Sequence, residues 1–361
     1  MKKTRVAING FGRIGRAFLR VITLKPDCPI EVVAINDLGD INNFAYLLRH
    51  DTAYRAFDAE VKVSGDASTI IVNGKEIKFI SEKDATKLPW KALDVDIVVE
   101  CTGHFTSGEK AQAHIDAGAK RVVVSAPTKD EADAKVKGAM VLMRMNEEDL
   151  SKSLITSNAS CTTNAAGPLL AILDENFGIE KAMLNTTHAY TASQGIVDGP
   201  NKKDFREGRA GAMNLVPSST GAAIAVTKIM KNLKGLFDGI SVRIPVVTGS
   251  LVDITFVSKK DTTAEEVNKV LTEASKTDRW QGIFAVSDEP LVSSDIIGSH
   301  HASVADLLMT RVVGGNLVKV LAWYDNEMGY THTLVQHVIM AGKALEGPEA
   351  FAEYRRSKGL Q

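Results

Sequence analysis

Apolar and polar positions follow a repeating strand–helix pattern through the first 150 residues. Short apolar runs predict buried strands at 5–8, 31–35, 96–100 and 121–125. Apolar residues at helical spacing predict helices at 14–24, 41–48 and 110–117. Runs in which apolar and polar residues alternate, at 61–63, 68–72 and 76–80, predict a short antiparallel segment of the sheet, with a hairpin turn at Asn73-Gly74. This rhythm predicts a doubly wound, mostly parallel sheet with helices on both faces.

The pattern changes after about residue 150. Longer strand-like runs lie at 178–188, 240–245, 250–258 and 317–324, with helices at 264–276 and 334–344. They predict an α+β second domain with a mostly antiparallel sheet. The segment 191–219 is polar, glycine-rich and basic, and a loop of that length is usually functional or interfacial. The fold class is therefore α/β, with an α+β domain after the parallel sheet.

Composition narrows the function classes. The 361 residues carry a formal net charge of -1, which disfavours a nucleic acid or an anionic membrane as the main partner. The first apolar run is broken at Asn9-Gly10, so no signal peptide is expected, and no membrane-spanning segment is expected either. Three cysteines are too few for a disulfide scaffold and indicate a reducing compartment, so we expect a cytoplasmic protein.

A glycine-rich turn follows the first predicted strand. Gly10, Gly12 and Gly15 form the pattern G-x-G-x-x-G before a helix, and Asp37 ends the next strand. The glycines allow a tight turn and close approach of a pyrophosphate to the helix N-terminus. A carboxylate at Asp37 suits ribose hydroxyls and repels a 2′-phosphate, which favours NAD over NADP. A glycine turn without a nucleotide is the alternative.

Cys161 lies in a different setting from the other two cysteines. It follows a short strand and precedes a helical run, among small hydroxyl and amide residues. A helix N-terminus stabilises a thiolate there, whereas Cys28 and Cys101 have the setting of buried structural thiols. His188, at the end of a strand-like run, is the candidate base. His300-His301 has no metal-ligand spacing around it, so no metal site is expected.

Seven sequence blocks, in order, resemble the glyceraldehyde-3-phosphate dehydrogenase family. The blocks are 7–16, 34–37, 157–164, 188–191, 219–223, 290–295 and 323–327. The match is collinear from residue 4 to about residue 345. The resemblance implies phosphorylating oxidation of glyceraldehyde 3-phosphate with NAD and inorganic phosphate, in glycolysis or gluconeogenesis. It implies Cys161 as the nucleophile that forms a thiohemiacetal and a thioester, and His188 as the base.

The resemblance also assigns binding residues. Thr191 and Arg243 resemble the residues that hold the substrate's phosphate. The attacking phosphate would be held by Ser160, Thr162, Thr220 and Gly221. For NAD, the implied residues are Gly10, Gly12, Arg13, Ile14, Gly15, Asp37, Lys83, Ser125 and Asn326. Within that set Arg13 and Ile14 lie at the pyrophosphate, Asp37 at the ribose, Lys83 and Ser125 near the adenine, and Asn326 at the nicotinamide carboxamide.

Several positions depart from the family pattern. The Gly-Val-Asn-His block of the family is Arg144-Met145-Asn146-Glu147 here, and Met328 replaces a tryptophan. Ile224 stands where a basic residue is usual, and Thr187 where a β-branched apolar residue precedes the histidine. The second cysteine of the family is absent from the run 165–168. Arginine for glycine disturbs a tight backbone approach, so Arg144 is the departure with the largest expected structural effect.

The domain prediction follows from these blocks. An NAD-binding domain spans 1–160 and is completed by a C-terminal helix at 327–361; a catalytic domain spans 161–326 and includes the 191–219 loop. A homotetramer is implied by the family. Two alternatives stay open: erythrose-4-phosphate dehydrogenase, and an NAD-binding regulator without catalysis.

Overall fold

The computed structural model describes residues 3–131, 133–202 and 204–360. The chain divides into two compact units: one comprises the chain up to Ala159 and from Thr331 onward, and the other is Ser160–Tyr330.

The first unit is built on strands that carry helices between them. The strands are β1 (Thr4–Asn9), β2 (Ile30–Asn36), β3 (Val61–Val63), β4 (Thr69–Val72), β5 (Lys75–Ile80), β6 (Ile97–Glu100), β7 (Arg121–Val124), β8 (Ala139–Met140) and β9 (Ile155–Ser157). The helices are α1 (Arg13–Thr23), α2 (Ile41–Arg49) and α3 (Gly108–Asp116). Short 3₁₀ turns lie at Ala85–Lys87 and Glu147–Ser151.

The nine strands form one sheet in the order β3-β4-β5-β2-β1-β6-β7-β9-β8. Every pairing from β5 through β8 is parallel, while β3, β4 and β5 pair antiparallel. The predicted hairpin between β4 and β5 is confirmed, since Asn73 and Gly74 both have positive φ, of 49° and 76°. Strand order reverses beside β1, and ligands of such sheets bind at the carboxyl ends of the strands there.

The second unit contains a second sheet. Its strands are β10 (Ile179–Ala189), β11 (Val216–Ser219), β12 (Phe237–Ile244), β13 (Ser250–Ser258), β14 (Phe284–Ser287), β15 (Ser303–Val313) and β16 (Leu317–Tyr324). Its helices are α4 (Cys161–Phe177), α5 (Ala222–Ile229) and α6 (Ala264–Ser275), with 3₁₀ turns at Phe205–Gly208, Lys231–Leu233 and Ser293–Ile296. Two more helices follow: α7 (Met328–Glu346) and α8 (Pro348–Arg356). From Thr331 onward they belong to the first unit.

The seven strands run in the order β11-β12-β10-β13-β16-β15-β14. Four of the six neighbouring pairs are antiparallel, and β10–β12 and β14–β15 are parallel. Helix α4 packs on this sheet with an almost wholly buried apolar surface, as its high content of alanine and leucine requires. The predicted α/β class with a mostly antiparallel second sheet is confirmed.

The loop prediction for 191–219 needs correction at its end. Val216–Ser219 is not loop but the edge strand β11, which pairs antiparallel with β12. Its short, proline-containing sequence has no strand pattern, and proline is tolerated there because β11 is an edge. The sequence pattern also missed α5, β8, β14 and β15. The single C-terminal helix predicted at 327–361 is instead two helices, α7 and α8, because Gly347 has φ +123° and Pro348 begins the second.

Candidate active site and nucleotide pocket

The glycine-rich turn connects the end of β1 to the start of α1. Gly10 has φ +95°, and a Cβ there would lie 2.6 Å from the backbone nitrogen of Thr102. A Cβ on Gly15 would collide with the carbonyl oxygen of Gly10. Both positions therefore require glycine for close packing.

Gly12 has a different role, because it caps α1 and leaves space open. A Cβ at Gly12 would meet no heavy atom within 4 Å. Gly12 also offers no side chain to bond the first N–H groups, and the first turn of α1 carries no acidic residue. The N-terminus of α1 thus has the room and the donors that a pyrophosphate needs.

A cavity of about 450 Å³ opens in the first unit at the carboxyl ends of β1, β2 and β6. It is lined by Asn9, Gly10, Gly12, Asn36, Asp37, Leu38, Glu82, Lys83, Ala85, Leu88, Cys101, Thr102, His104 and Phe105. Four predicted cofactor residues, Gly10, Gly12, Asp37 and Lys83, line it together. Glycines, the two carboxylates of Asp37 and Glu82, and an apolar wall fit a dinucleotide such as NAD.

The remaining predicted cofactor residues of this unit lie around the cavity without lining it. Arg13 begins α1 and pairs with Asp51, with 2.5 Å between Nη1 and Oδ2. Ile14 and Gly15 follow it in the same helix. Ser125 follows β7, donates its N–H to the carbonyl of Glu100, and hydrogen-bonds the thiol of Cys101.

Asp37 holds the turn as well as facing the cavity. Its carboxylate accepts the backbone N–H groups of Phe11 at 2.7 Å and Gly39 at 3.1 Å. The first bond joins the end of β2 to the glycine-rich turn. A ligand that hydrogen-bonds to Asp37 therefore meets a carboxylate whose position is already fixed by the turn.

The second unit brings Cys161, His188 and Arg243 together. Cys161 is the first residue of α4, and its Sγ lies 3.3 Å from Nε2 of His188 near the end of β10. His188 and Arg243 are register partners on the parallel neighbours β10 and β12. Three separate elements therefore place a thiol, an imidazole and a guanidinium at one point.

The other ring nitrogen of His188 has two close neighbours. Nδ1 lies 2.6 Å from the carbonyl oxygen of Ala189 and 2.6 Å from Nη1 of Arg243. A proton on Nδ1 bonds the carbonyl and leaves Nε2 as an acceptor for the thiol proton. In that tautomer Nδ1 accepts no hydrogen bond from Arg243, and the guanidinium acts on the ring through its charge alone. In the other tautomer Nδ1 accepts from Arg243, the bond to the Ala189 carbonyl is lost, and Nε2 carries the proton toward the sulfur.

Burial sets the charge states of the pair. Burial, assisted by the Arg243 cation, lowers the pKa of His188 to about 4. Burial also raises the pKa of the Cys161 thiol, although Arg243 and hydrogen bonds from Thr162 act in the opposite direction. Both shifts favour a neutral thiol beside a neutral imidazole in the chain on its own, so Nε2 of His188 is unprotonated but only weakly basic there.

Tyr324 supports this site and was missed from the sequence. Its hydroxyl lies 2.9 Å from Oγ1 of Thr162 and 2.8 Å from Oγ1 of Thr186, and its ring meets that of His188 edge-on at 5.9 Å. Burial raises the pKa of the Tyr324 phenol well above its usual range, so the phenol stays neutral. Tyr324 lies in the block 323–327 that resembles the family, and its place in that block is the sequence feature from which a role at the site could have been predicted.

The predicted phosphate-binding residues lie on helix starts and loops. Ser160 caps α4 and accepts the N–H of Thr163 at 3.1 Å. Gly221 precedes α5, and Thr220 accepts the N–H of Ala222 at 3.2 Å. Thr191 follows β10 and bonds Ser193 through the two hydroxyls at 2.9 Å. Hydroxyls at two helix N-termini are groups that bind anions.

Arg243 has a donor left over for such an anion. Among the described residues, its Nε is buried and has no hydrogen-bond partner. A buried guanidinium donor without an acceptor is costly, and a dianionic ligand would satisfy it.

Asn326 is held rigidly in the second unit. Its Oδ1 accepts hydrogen bonds from Gly249 N at 3.1 Å, Ser250 Oγ at 3.0 Å and Thr248 Oγ1 at 3.2 Å. These donors fix the orientation of the amide, so that Nδ2 points away from them as a donor.

Comparison with known proteins gives the same family for both units. Residues 4–108 match the family model described as glyceraldehyde 3-phosphate dehydrogenase, NAD binding domain. Residues 160–326 match the model for the C-terminal domain of the same enzyme. The chain belongs to the glyceraldehyde-3-phosphate dehydrogenase family.

Individual relatives agree over nearly the whole chain. The glyceraldehyde-3-phosphate dehydrogenase of Geobacillus stearothermophilus is 46% identical over 356 residues, which cover 99% of each chain. That of Thermotoga maritima is 47% identical, covering 92% of this chain and 97% of its own. That of Clostridium pasteurianum is 45% identical with the same coverage. These matches confirm the predicted family, the nucleotide-binding α/β fold and NAD as the cofactor of that domain.

Arg144, which the sequence predicts to depart from the family pattern, lies at a constrained point of the backbone. Its φ is +71°, a conformation that favours glycine, and its side chain is buried. Its backbone N–H donates to the carboxylate of Glu147, another changed residue of that block. Burial raises the pKa of the Glu147 carboxyl, and the nearby Arg144 cation opposes that rise. The two departures are thus joined in one turn.

Two negative findings concern the described residues alone. No group of three or more histidine, cysteine, aspartate or glutamate side chains among them is arranged to hold a metal ion. No helix of the described chain is long and apolar enough to cross a membrane.

Proposed function

We propose that this chain oxidises D-glyceraldehyde 3-phosphate with NAD and inorganic phosphate, giving 1,3-bisphosphoglycerate and NADH. The observation that carries the proposal is the 3.3 Å approach of Cys161 Sγ to His188 Nε2, with Arg243 beside them. A nucleophile, a base and a cation in one place suit covalent capture of a phosphorylated aldehyde.

The residues act in the following order. His188 Nε2 accepts the thiol proton, the Cys161 sulfur bonds to the aldehyde carbon, and the proton passes to the aldehyde oxygen to give a thiohemiacetal. A bound NAD would supply the hydride acceptor for that carbon. His188 takes the hydroxyl proton as the carbonyl re-forms, leaving a thioester on Cys161. Inorganic phosphate then attacks the thioester carbon, the sulfur leaves as thiolate, and the acyl phosphate is released.

Two anion sites serve the two phosphates. Arg243 and Thr191 bind the phosphate of the substrate, and the buried donor at Arg243 Nε supports this assignment. The attacking phosphate is bound by Ser160, Thr162, Thr220 and Gly221. Their positions at the starts of α4 and α5 support this role.

The residues proposed for NAD are those that the family resemblance implies. Gly10, Gly12, Arg13, Ile14 and Gly15 hold the pyrophosphate at the start of α1. Asp37 binds the ribose, Lys83 and Ser125 lie on the adenine side, and Asn326 donates to the carboxamide. The first unit is accordingly the NAD-binding domain and the second the catalytic domain.

The decisive assay measures NADH formation from substrate, NAD and phosphate. The parent chain is active, Cys161→Ser is reduced to the background rate, and Cys28→Ser keeps the parent rate because Cys28 is a buried thiol of the other unit. No NADH from the parent chain would leave an NAD-binding regulator as the function. Equal rates from the parent and Cys161→Ser would exclude Cys161 as the nucleophile.

The same assay with erythrose 4-phosphate separates the sibling activity. We expect a higher kcat/KM for glyceraldehyde 3-phosphate, because Thr191 and the Thr220-Gly221 pair are present. A higher kcat/KM for erythrose 4-phosphate would assign the chain to erythrose-4-phosphate dehydrogenase.

The chain acts as a cytoplasmic homotetramer in this proposal. Apolar side chains of the 191–219 segment are strongly exposed in the single chain, among them Ile196 at 88%, Phe205 at 88% and Met213 at 81%. Apolar surface of this kind marks an interaction site, and a second copy is the occupant we propose. All three cysteines are free thiols, which suits a reducing compartment. Sedimentation equilibrium should give four times the mass of the chain; a monomer mass would contradict the tetramer.

A further inference from the structure

A buried pair, Glu100 and His114, lies behind the nucleotide cavity without lining it. Glu100 ends β6 and is 1% exposed, and His114 of α3 is fully buried. His114 Nε2 lies 3.1 Å from Glu100 Oε2. A carboxylate in such a place is tolerated only if its oxygens are fully hydrogen-bonded.

The tautomer of His114 follows from a third buried residue. Trp90 Nε1, which can only donate, lies 3.2 Å from His114 Nδ1. Nδ1 must therefore be the acceptor, so the ring proton is on Nε2 and is donated to Glu100. The indole thus orients the imidazole toward the carboxylate.

Each oxygen of Glu100 takes two donors. Oε2 accepts His114 Nε2–H and, at 2.6 Å, Asn9 Nδ2. Oε1 accepts the N–H of Thr102 at 2.7 Å and also the Thr102 hydroxyl. Four donors fill the acceptor capacity of a carboxylate, so the group is satisfied and its donors are held in place.

Those donors belong to the cavity wall. Asn9 and Thr102 both line the cavity. Asn9 Oδ1 in turn accepts Asn36 Nδ2 at 2.7 Å, and Asn36 lines it too. The backbone nitrogen of Thr102 is the atom against which Gly10 packs. The pair therefore bonds residues at the ends of β1 and β6, and through Asn9 it reaches the end of β2.

We propose that Glu100 and His114 are positioning residues for NAD: they hold the wall of the nucleotide cavity in its binding geometry and so set the affinity for NAD and NADH. This inference rests on the proposed binding of NAD in that cavity. It assigns the pair no contact with the reacting atoms, so it predicts an effect on cofactor affinity and not on the chemistry at Cys161.

The test is the dissociation constant for NADH, measured by fluorescence titration of the full chain. Glu100→Gln replaces one accepting oxygen of the carboxylate by an NH₂ group, which then faces groups that donate. His114→Leu removes the imidazole N–H that donates to Oε2. Each should raise the Kd for NADH by about tenfold or more, the effect of losing a hydrogen bond to a buried charged group. His114→Gln keeps an amide nitrogen at the place of Nε2, so its Kd should stay within about threefold of the parent.

Two further readouts separate positioning from general damage. The KM for NAD should rise with the Kd, while kcat at saturating NAD and the alkylation rate of Cys161 stay within about twofold. His337→Gln is the matched control, because His337 is equally buried in this unit but bonds Thr156 and Asn158 instead. Its Kd for NADH should equal that of the parent.

The outcomes decide as follows. An unchanged Kd in folded Glu100→Gln and His114→Leu overturns the inference, and so does an equal loss in His114→Gln or in His337→Gln. Should His114→Leu fail to fold, Glu100→Gln and His114→Gln decide. A parent chain that binds NADH but oxidises no aldehyde refutes the proposed activity and leaves this inference standing. A parent chain that binds no NADH refutes both.

Discussion

Arg144 combines an arginine side chain with a backbone conformation that favours glycine. The turn holds φ at +71°, where only glycine is free of steric cost, yet an arginine occupies it. The bond from its N–H to Glu147 fixes the turn independently of the side chain. The surrounding turn thus imposes the positive φ, and the Cβ of Arg144 makes unfavourable backbone contacts that a glycine would avoid.

Replacing Arg144 by glycine or alanine measures that strain. Both variants lose the same guanidinium, so their difference isolates the backbone. We expect Arg144→Gly to be more stable than Arg144→Ala by about 1 kcal/mol, because alanine is disfavoured at positive φ. Urea denaturation monitored by circular dichroism gives the two free energies of unfolding.

Lys269, an exposed residue within α6, provides a control of opposite sign. There Lys269→Ala should be more stable than Lys269→Gly by about 1 kcal/mol, since glycine is a poor helix former. The same order at both sites would contradict a left-handed backbone at Arg144.

Helix α4 joins local structure to chemistry, because its first residue is Cys161 and its cap is Ser160. The Ser160 hydroxyl accepts the N–H of Thr163, which leaves the other first-turn N–H groups beside the thiol. Cap and nucleophile are adjacent in the chain, so the helix start itself positions the sulfur.

Ser160→Ala should therefore have two effects. The free energy of unfolding should fall by about 1 kcal/mol, the usual cost of losing an N-cap. The KM for inorganic phosphate should rise as well, because Ser160 is a proposed ligand of the attacking phosphate. Urea denaturation and steady-state kinetics measure the two effects separately.

Thr263 is the matched control, since it caps α6 through the same bond, to the N–H of Glu266 at 3.2 Å. Thr263→Ala should lose similar stability with kinetics unchanged. A raised KM for phosphate in Thr263→Ala, or none in Ser160→Ala, would argue against the phosphate role of Ser160.

Across the whole molecule, burial of histidine makes stability depend on pH. Burial lowers the pKa of His337 to about 3, and the pKa of His188 and of His301 to about 4. In the unfolded chain histidine has a pKa of about 6.5. Between these values the unfolded chain binds protons that the folded chain does not, so stability rises with pH from about 4 to 6.5 and falls as the solution is acidified.

Replacing His337 by glutamine tests the largest of these shifts. Between pH 7 and pH 5 the parent should lose at most about 2 kcal/mol through His337 alone, by linkage from its pKa shift. His337→Gln should lose correspondingly less over that range. Urea denaturation at one protein concentration and several pH values gives both curves; parallel curves would show that His337 does not titrate as a buried group.

Helices, strands and turns whose own residues have a strong conformational preference were predictable from the sequence. The glycine turn, the Asn73-Gly74 hairpin and the amphipathic α6 each carry their own conformational preference. The strand β11 carries none: Val216–Ser219 is a strand because β12 offers it an edge. Tertiary pairing overrides local propensity in such short segments.

The sequence by itself determined the family, the strand–helix rhythm and the identity of the reactive side chains, because these depend on residue types in order. Only the tertiary structure decided which of them meet. His188 and Arg243 are 55 residues apart and become register partners on β10 and β12, while Glu100, His114 and Trp90 converge behind a cavity that none of them lines. Such contacts arise from sheet register and burial, where an unpaired polar group is too costly to leave unsatisfied.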